Sequence, residues 1–117
     1  MFGFMRAAPA ADYSDIMPRI AAGEITLVDV REPDELSITG RAKDAINIPL
    51  MRLQMMADPR HPDCHPGLAP EKPVALYCAS GARSAQGKML LERLGYSEVM
   101  NLGGLHDWAR AGGSLER

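Results

Sequence analysis

The sequence predicts an α/β domain with a mainly parallel central sheet, and three observations support this class. Short runs of β-branched and aliphatic residues alternate with segments of helix-forming residues. A length of 117 residues suits one domain that buries roughly two-thirds of its unfolded surface. Hydrophobic residues make up 46% of the chain and charged residues 24%, an ordinary balance for a globular protein. We expect a single domain over residues 1–117, with its core at about 14–112.

The first half of the chain predicts three helices and two strands. Ser14 can cap the first helix and Gly23 can end it, while Pro33 suits the first turn of the second helix. In chain order, the elements are a helix over 15–22, a strand over 26–30, a short helix from Pro33, a strand over 45–48 and a helix over 50–56.

The methionines of the third helix have helical spacing, which predicts that Met51, Met55 and Met56 pack into the core. An adaptable docking patch is the alternative interpretation. Residues 57–73 follow and contain five prolines, which exclude a continuous helix or central strand. We therefore expect a surface connection over 57–73.

The second half begins with a buried strand at 74–77, a loop of small residues and a helix from Arg83 to about residue 94. Gly87, Leu90, Leu91 and Leu94 form one apolar stripe on that helix. A last strand at 98–102 and a closing helix at 106–111, with Trp108 on the core, complete the prediction.

The loop after the third strand is the candidate reactive site. A helix that starts there directs unpaired N–H groups and its positive dipole end at the loop, which favours the thiolate of Cys78. Arg83 adds a permanent charge, and Gly81 permits a positive φ. The other loop residues that can surround an anion are Ala79, Ser80, Ala82 and Ser84. Cys78 is thus a candidate nucleophile, and a plain buried core cysteine is the alternative.

Cys78, four further residues and Arg83-Ser84 resemble the active-site loop of the rhodanese-like sulfurtransferases. Segments in the matching order support the resemblance: 27–33 (LVDVREP), 45–49 (AINIP) and 99–104 (VMNLGG) with the following Trp108. The resemblance implies a rhodanese-like domain with a mainly parallel sheet of about five short strands, flanked by helices on both faces.

The resemblance also implies an activity. A thiosulfate sulfurtransferase would take sulfane sulfur from a thiosulfate-like anion onto Cys78 as a persulfide and would need no cofactor. The acceptor would be cyanide in vitro and a thiol or protein in the cell. In this mechanism Cys78 and Arg83 are catalytic, and the residue after the cysteine, Ala79, helps to select the substrate. The chain departs from the family at Arg41 and Asp44, and Asp44 stands where glycine is usual in a turn.

Two other functions compete with sulfur transfer. A phosphatase or arsenate reductase of related fold has five residues between cysteine and arginine, whereas this chain has four. A non-catalytic rhodanese-like module could bind a partner instead, but such modules usually lack the loop cysteine.

Asp29 and Arg31 end the first predicted strand at the same sheet edge as Cys78, where they could support the site or form a structural ion pair. His61, Cys64 and His65 are metal-ligating types at close spacing, but no second pair accompanies them, so we expect no metal. Cys64 could resolve an oxidised or sulfur-loaded Cys78 as a disulfide.

Charge and composition restrict the partners and the compartment. A net charge of −2 and a pI near 5.9 provide no basic surface for nucleic acid or an anionic membrane. The apolar residues 1–5 precede Arg6 and are too short for a signal peptide, and no apolar run could cross a bilayer. Two cysteines suit a reducing compartment, so we expect a cytoplasmic protein.

Overall fold

The computed structural model describes residues 12–117, so the apolar residues 1–5 and Arg6 lie outside the described residues. The helices are α1 Tyr13–Ala21, α2 Pro33–Thr39, α3 Leu50–Ala57, α4 Ala82–Arg93 and α5 Leu105–Arg110. The strands are β1 Thr26–Asp29, β2 Arg41–Ala42, β3 Ile46–Asn47, β4 Val74–Cys78, β5 Val99–Gly104 and β6 Leu115–Glu116.

Four strands form the central sheet in the order β3, β1, β4, β5, and every neighbouring pair is parallel. Thr26 of β1 lies opposite Val74 of β4, which in turn lies opposite Val99 of β5. Because the strands run in one direction, their carboxyl ends meet at one edge of the sheet. Cys78 is the last residue of β4 and lies at that edge, in line with the position that parallel sheets give to functional sites.

Helices cover both faces of the sheet, which confirms the predicted architecture. On one face, Leu53 and Ala57 of α3 and Leu91 of α4 pack on the sheet. On the other face, Ile16 and Ile20 of α1 pack with Leu105 and Trp108 of α5. Strand β4 alternates between the two layers, because Leu76 and Cys78 belong to the first cluster and Ala75 and Tyr77 to the second.

The strand count differs from the expected five in the central sheet. Among residues 12–117, that sheet has four strands, and β2 and β6 pair with each other in a separate antiparallel sheet. In this second sheet Arg41 lies opposite Glu116 and Ala42 opposite Leu115. Strands of two residues are too short to show an alternating pattern, which is why the sequence indicated neither β2 nor β6.

The first helix begins at Tyr13, two residues earlier than predicted. Asp12, not Ser14, is its N-cap, because the Asp12 carboxylate accepts the backbone N–H of Ser14 at 3.2 Å. The Ser14 hydroxyl donates to the same carboxylate at 2.6 Å, which leaves Ser14 inside the first turn. No helix within residues 12–117 has the length and apolarity to cross a bilayer.

The prediction that the methionines of α3 are core residues is wrong for Met51, whose exposed fraction is 92%. Met56 packs against the core and Met55 is half-buried, while Leu53 and Ala57 are the fully buried residues of this helix. The helix therefore turns Leu53 and Ala57 towards α4, which directs Met51 to solvent. The two helices approach closely because Gly87 of α4 has no side chain. A Cβ at Gly87 would lie only 3.1 Å from the Leu53 side chain.

The segment 58–73 contains no helix or strand, in agreement with its prolines. It is not entirely on the surface, because Leu68 is 5% exposed and belongs to the core cluster under α3 and α4. The Ser97 N–H donates to the Pro70 carbonyl at 3.0 Å, and the Thr26 hydroxyl donates to the Gly67 carbonyl at 3.1 Å. These bonds fasten the connection to the start of β1 and to the turn before β5.

Candidate active site

Cys78 lies at the junction of β4 and α4, as the sequence predicted. Gly81 is the N-cap of α4 and has a φ of 104°, a conformation that favours glycine. This turn brings the chain back over the thiol, so the Gly81 N–H donates to Sγ at 3.0 Å and the Ser84 N–H at 3.4 Å. The predicted positive φ and the predicted helix start are therefore present at this loop.

The thiol of Cys78 is fully enclosed by the surrounding structure. Cys78 has an exposed fraction of 0% and belongs to the core cluster beneath α3 and α4. The rim residues Ala79, Ser80 and Ala82 are exposed. Cys78 is thus both a packed core residue and an acceptor of loop hydrogen bonds, which combines the two interpretations of the sequence.

Hydrogen bonds to Sγ oppose the effect of burial on the pKa of Cys78. Burial raises the pKa of the thiol, but bonds from the Ser84 hydroxyl and from loop N–H groups favour the thiolate and outweigh burial. The pKa of Cys78 is consequently lowered from its ordinary value of 9.0. A thiolate held by fixed donors is the reactive form for nucleophilic attack.

Two glycines at the end of β5 allow the loop to pack against the sheet edge. A Cβ on Gly104 would overlap the carbonyl oxygen of Ala79 and lie 2.9 Å from its carbonyl carbon. A Cβ on Gly81 would lie 3.2 Å from the Cα of Gly103. The Gly104 N–H donates to the Asp107 carboxylate of α5 at 2.8 Å, and this bond connects the turn to α5. The diglycine of the resemblance therefore forms one wall of the cysteine loop.

Asn101 belongs to the site although the sequence did not single it out. Its Oδ1 accepts the Ser84 hydroxyl at 2.7 Å and the Gly103 N–H at 2.9 Å, and its Nδ2 donates to the Gly81 carbonyl at 3.1 Å. The amide thus connects β5 with both ends of the cysteine loop. The available signal was a polar residue in an otherwise apolar strand, two residues before the diglycine.

Arg83 does not present a free charge to the loop. Its two terminal nitrogens donate to the two carboxylate oxygens of Glu35 in α2, at 2.8 and 2.9 Å. Side-chain exposure is 36% for Arg83 and 32% for Glu35, so the pair lies near solvent. The Arg83 guanidinium lowers the pKa of Glu35 to about 2, which keeps Glu35 ionised at any ordinary pH.

Glu35 was absent from the predicted site because its partner is 48 positions away in the chain. It also accepts the backbone N–H of Glu32 at 2.8 Å, so the first turn of α2 orients its carboxylate. Glu35 lies in the acidic first turn of α2, near the positive end of the helix dipole, and also contacts the arginine of the cysteine loop.

Asp29 and Arg31 form a buried ion pair at the end of β1. They are 0% and 2% exposed, and the shortest distance between Arg31 Nη2 and Asp29 Oδ2 is 2.7 Å. Arg31 also donates to the Thr39 hydroxyl at 2.8 Å and to the Gly40 carbonyl at 2.9 Å. These bonds join β1 to the end of α2. Among the described residues, every buried side-chain nitrogen and oxygen has a partner.

The side chains of the 58–73 connection are engaged locally. His61 Nδ1 accepts the Asp63 N–H at 3.0 Å, and His65 Nδ1 accepts the Gly67 N–H at 2.9 Å. Cys64 is a free thiol, as is Cys78. Within the described part of the chain, no group of three or more His, Cys, Asp or Glu residues is arranged to hold a metal ion.

Asp44, one of the departures from the usual family pattern, has a φ of 69°. It therefore occupies the left-handed region, as predicted for an aspartate at a glycine position. Arg41, the other departure, pairs with Glu116 at 3.3 Å across the β2 and β6 strands. Both substitutions are accommodated on the side of the molecule that carries the small antiparallel sheet.

Fold and site together define an α/β protein whose buried cysteine is enclosed by a short loop at the N-terminus of a helix. The chain belongs to the rhodanese-like domain family, since the family model matches residues 13–111. This match includes all four strands of the central sheet and the whole cysteine loop.

The chain is also similar to individual proteins and to a solved structure. A sulfurtransferase of Allochromatium vinosum is 37% identical over 105 residues, which make up 86% of this chain and 88% of the relative. The thiosulfate sulfurtransferase PspE of Escherichia coli is 35% identical over 82 residues, 70% of this chain and 72% of the relative. A solved structure from Rhodopseudomonas palustris has a TM-score of 0.78 and 28% identity, covering 88% of this chain and 79% of that one. That protein is described as one of unknown function and a possible tyrosine phosphatase.

Proposed function

We propose that this protein is a rhodanese-type sulfurtransferase that carries sulfane sulfur on Cys78 as a persulfide. The observation that supports it best is the buried Sγ, which accepts N–H groups from Gly81 at 3.0 Å and Ser84 at 3.4 Å. Fixed donors stabilise the thiolate before attack and the charge that develops during attack. The names of the A. vinosum and E. coli relatives support the reaction class, and the latter supports thiosulfate as donor.

The reaction proceeds in two displacements. The Cys78 thiolate attacks the sulfane sulfur of thiosulfate, the donor S–S bond breaks, and sulfite leaves with the electron pair. An acceptor thiolate, or cyanide in vitro, then attacks the outer sulfur of the persulfide, and Cys78 departs as thiolate. Electrons balance without an added oxidant or reductant, and no cofactor takes part.

The loop residues have separate roles in this mechanism. The exposed rim of Ala79, Ser80 and Ala82 surrounds the donor, and a small outward movement of this rim admits it to the enclosed sulfur. Arg83 attracts the anion, and it does so in competition with the Glu35 carboxylate that holds it at 2.8 Å. Asp29 and Arg31 stabilise the end of β1 through their buried ion pair and do not contact the donor.

Partners and compartment follow from the same chemistry. The donor is a small sulfur-containing anion, and the acceptor is a thiol or a sulfur-accepting protein. Neither nucleic acid nor a membrane is a partner, because the net charge is −2 and no basic surface is predicted. Free Cys64 and Cys78 suit a reducing environment, so we assign the protein to the cytoplasm, which cell fractionation can test.

A phosphatase is the second candidate because the R. palustris structure is described as a possible tyrosine phosphatase. The loop argues for sulfur transfer, since only four residues separate Cys78 from Arg83. A ring with one residue fewer gives a narrower cradle, which suits a sulfur atom better than a tetrahedral phosphate. The non-catalytic module is disfavoured because this chain retains both the cysteine and the arginine.

Intact-protein mass spectrometry after thiosulfate treatment and desalting tests the proposal. We expect an added mass of about 32 Da on Cys78, reversible by a thiol reductant. Cys64→Ser should retain the adduct and Cys78→Ser should lose it. No adduct with thiosulfate or polysulfide, or an adduct that survives Cys78→Ser, would exclude Cys78 as the carrier. Turnover of an aryl phosphate that depends on Cys78 would favour the phosphatase instead.

A further inference from the structure

The Ser84 hydroxyl lies among three acceptors but has one hydrogen to donate. Its Oγ is 2.7 Å from Asn101 Oδ1, 3.4 Å from Cys78 Sγ and 3.5 Å from the Gly103 carbonyl oxygen. Ser84 has an exposed fraction of 0%, so solvent cannot supply a further partner. The Gly103 carbonyl is the most distant of the three and can only accept, so the direction of this hydroxyl must depend mainly on what Asn101 and Cys78 can donate or accept.

The protonation of Cys78 decides that direction. When Cys78 is a thiol, its S–H donates to Ser84 Oγ and the Ser84 O–H donates to Asn101 Oδ1. When Cys78 is a thiolate, the sulfur can only accept, so the Ser84 O–H turns to Sγ in a charge-assisted bond. Asn101 Oδ1 still accepts the Gly103 N–H at 2.9 Å in that state.

We propose that Asn101 is a positioning residue that holds the Ser84 hydroxyl while Sγ is uncharged and releases it to Sγ in the thiolate state. This proposal rests on the proposed function, because Sγ alternates between these states during transfer. In the persulfide the negative charge lies on the outer sulfur and Sγ is neutral, so the Ser84 O–H returns to Asn101. No covalent bond of Ser84 or Asn101 changes; only the hydroxyl rotates.

The surroundings of Asn101 make its orientation unambiguous. Reversal of the amide would place Nδ2 against the Gly103 N–H and Oδ1 against the Gly81 carbonyl, so both bonds would be lost. The Gly81 carbonyl also accepts the Ala85 N–H at 3.0 Å. The cysteine loop therefore keeps an anchor in α4 when Asn101 is replaced, which makes a direct test feasible.

Two variants of Asn101 should change Cys78 in opposite directions. Asn101→Leu removes the nearest competing acceptor and leaves only the Gly103 carbonyl at 3.5 Å, so the Ser84 O–H stays on Sγ and the thiolate fraction at a pH below the midpoint rises about 2- to 10-fold. Asn101→Asp retains the acceptor and adds a negative charge, so the thiolate fraction falls at least about tenfold. Ser84→Ala should lower it as well, because a donor to sulfur is lost.

The assay is the rate of iodoacetamide alkylation of Cys78 as a function of pH, in a Cys64→Ser background. This rate measures the thiolate whether or not the protein transfers sulfur, so its outcome is independent of the proposed function. Asn47→Leu is the matched control, since Asn47 also lies in a strand of the central sheet but donates only to the Asp29 and Arg31 carbonyls. It should leave the alkylation midpoint unchanged.

A double-mutant cycle tests that Asn101 acts through Ser84. Asn101→Leu should have little effect in the Ser84→Ala background, because no hydroxyl remains to be released. A decrease in thiolate for Asn101→Leu as well as Asn101→Asp would overturn the proposal, since it would mean that Asn101 merely holds the loop. Equal effects of Asn101→Leu with and without Ser84 would overturn it too. If Asn101→Leu does not fold, the coupling of Asn101→Asp to Ser84→Ala decides: an effect of Asn101→Asp that is equally large without the Ser84 hydroxyl would overturn the proposal.

Discussion

Gly104→Ala is expected to displace the cysteine loop. Gly104 has φ −103° and ψ 167°, an extended conformation open to any residue, so the whole effect comes from the added Cβ. That atom would overlap the Ala79 carbonyl oxygen and lie 2.9 Å from its carbon. Ordinary carbon contacts are about 3.5 to 4.0 Å, so Ala79 must move by about 0.6 to 1 Å.

This displacement has a structural and a kinetic consequence. Crowding of a packed backbone costs about 1 to 3 kcal/mol of unfolding free energy, which lowers Tm by roughly 4 to 15 °C in a domain of this size. Ala79 follows Cys78 directly, so the 3.0 Å contact between the Gly81 N–H and Sγ is disturbed as well. A misplacement of about 1 Å can reduce turnover about 100-fold.

The assay combines thermal unfolding with thiocyanate formation from thiosulfate and cyanide. Gly95→Ala is the control, because Gly95 has a φ of 99° and no atom lies within 4 Å of its added Cβ. Strain alone should destabilise this control by about 1 to 3 kcal/mol while turnover stays at the wild-type level. Wild-type Tm and turnover in Gly104→Ala would refute the inference that Gly104 and Ala79 are in direct contact.

Three further predictions concern charge. The pH midpoint for alkylation of Cys78 should lie below 9.0, because the pKa of its thiol is lowered in the folded protein. The lowered pKa should stabilise the fold above pH 9.0, and this stabilisation should be lost as pH falls through the pKa of Cys78 in the folded protein. An unfolding free energy with the same pH dependence in Cys78→Ala would contradict this. Arg31→Met should lower stability by about 3 to 5 kcal/mol in denaturant titrations, because it leaves Asp29 buried and unpaired; a loss below 1 kcal/mol would refute it. Glu35→Gln should lower KM for thiosulfate about 2- to 5-fold by freeing Arg83, and a higher KM would show that Glu35 positions Arg83 instead.

The sequence predicted the strands and helices that have clear periodicity or end signals. The run at 74–77 and the helix with Gly87 and Leu91 on its buried face are where the pattern placed them. The sequence-based predictions are wrong where two local signals compete or where an element is too short to give a signal. Asp12 displaced Ser14 as the N-cap, Met51 pointed to solvent despite its spacing, and the two-residue strand β6 left no pattern to recognise.

The sequence predicted the part of the candidate site that lies in the cysteine loop and missed the residues that other elements contribute. Cys78, Gly81 and Arg83 lie close enough in the sequence to be recognised together, and their order implies a thiol at a helix N-terminus. Glu35 and Asn101 lie 48 positions from Arg83 and 17 from Ser84, and only folding brings them into contact. The enclosure of Cys78 also depends on packing, which the loop sequence by itself does not show.

The sequence by itself determined the class of fold, the cysteine loop and the positive φ of Gly81, because periodicity, turn residues and helix-end electrostatics act over a few neighbouring residues. Tertiary structure decided which charges and hydrogen bonds reach the sulfur. Parallel strands bring the ends of β1, β4 and β5 to one edge, and that edge places Asn101 beside Ser84. The hydrogen bonds and the burial of Cys78 therefore depend both on its own loop and on the strands and helices that pack around it.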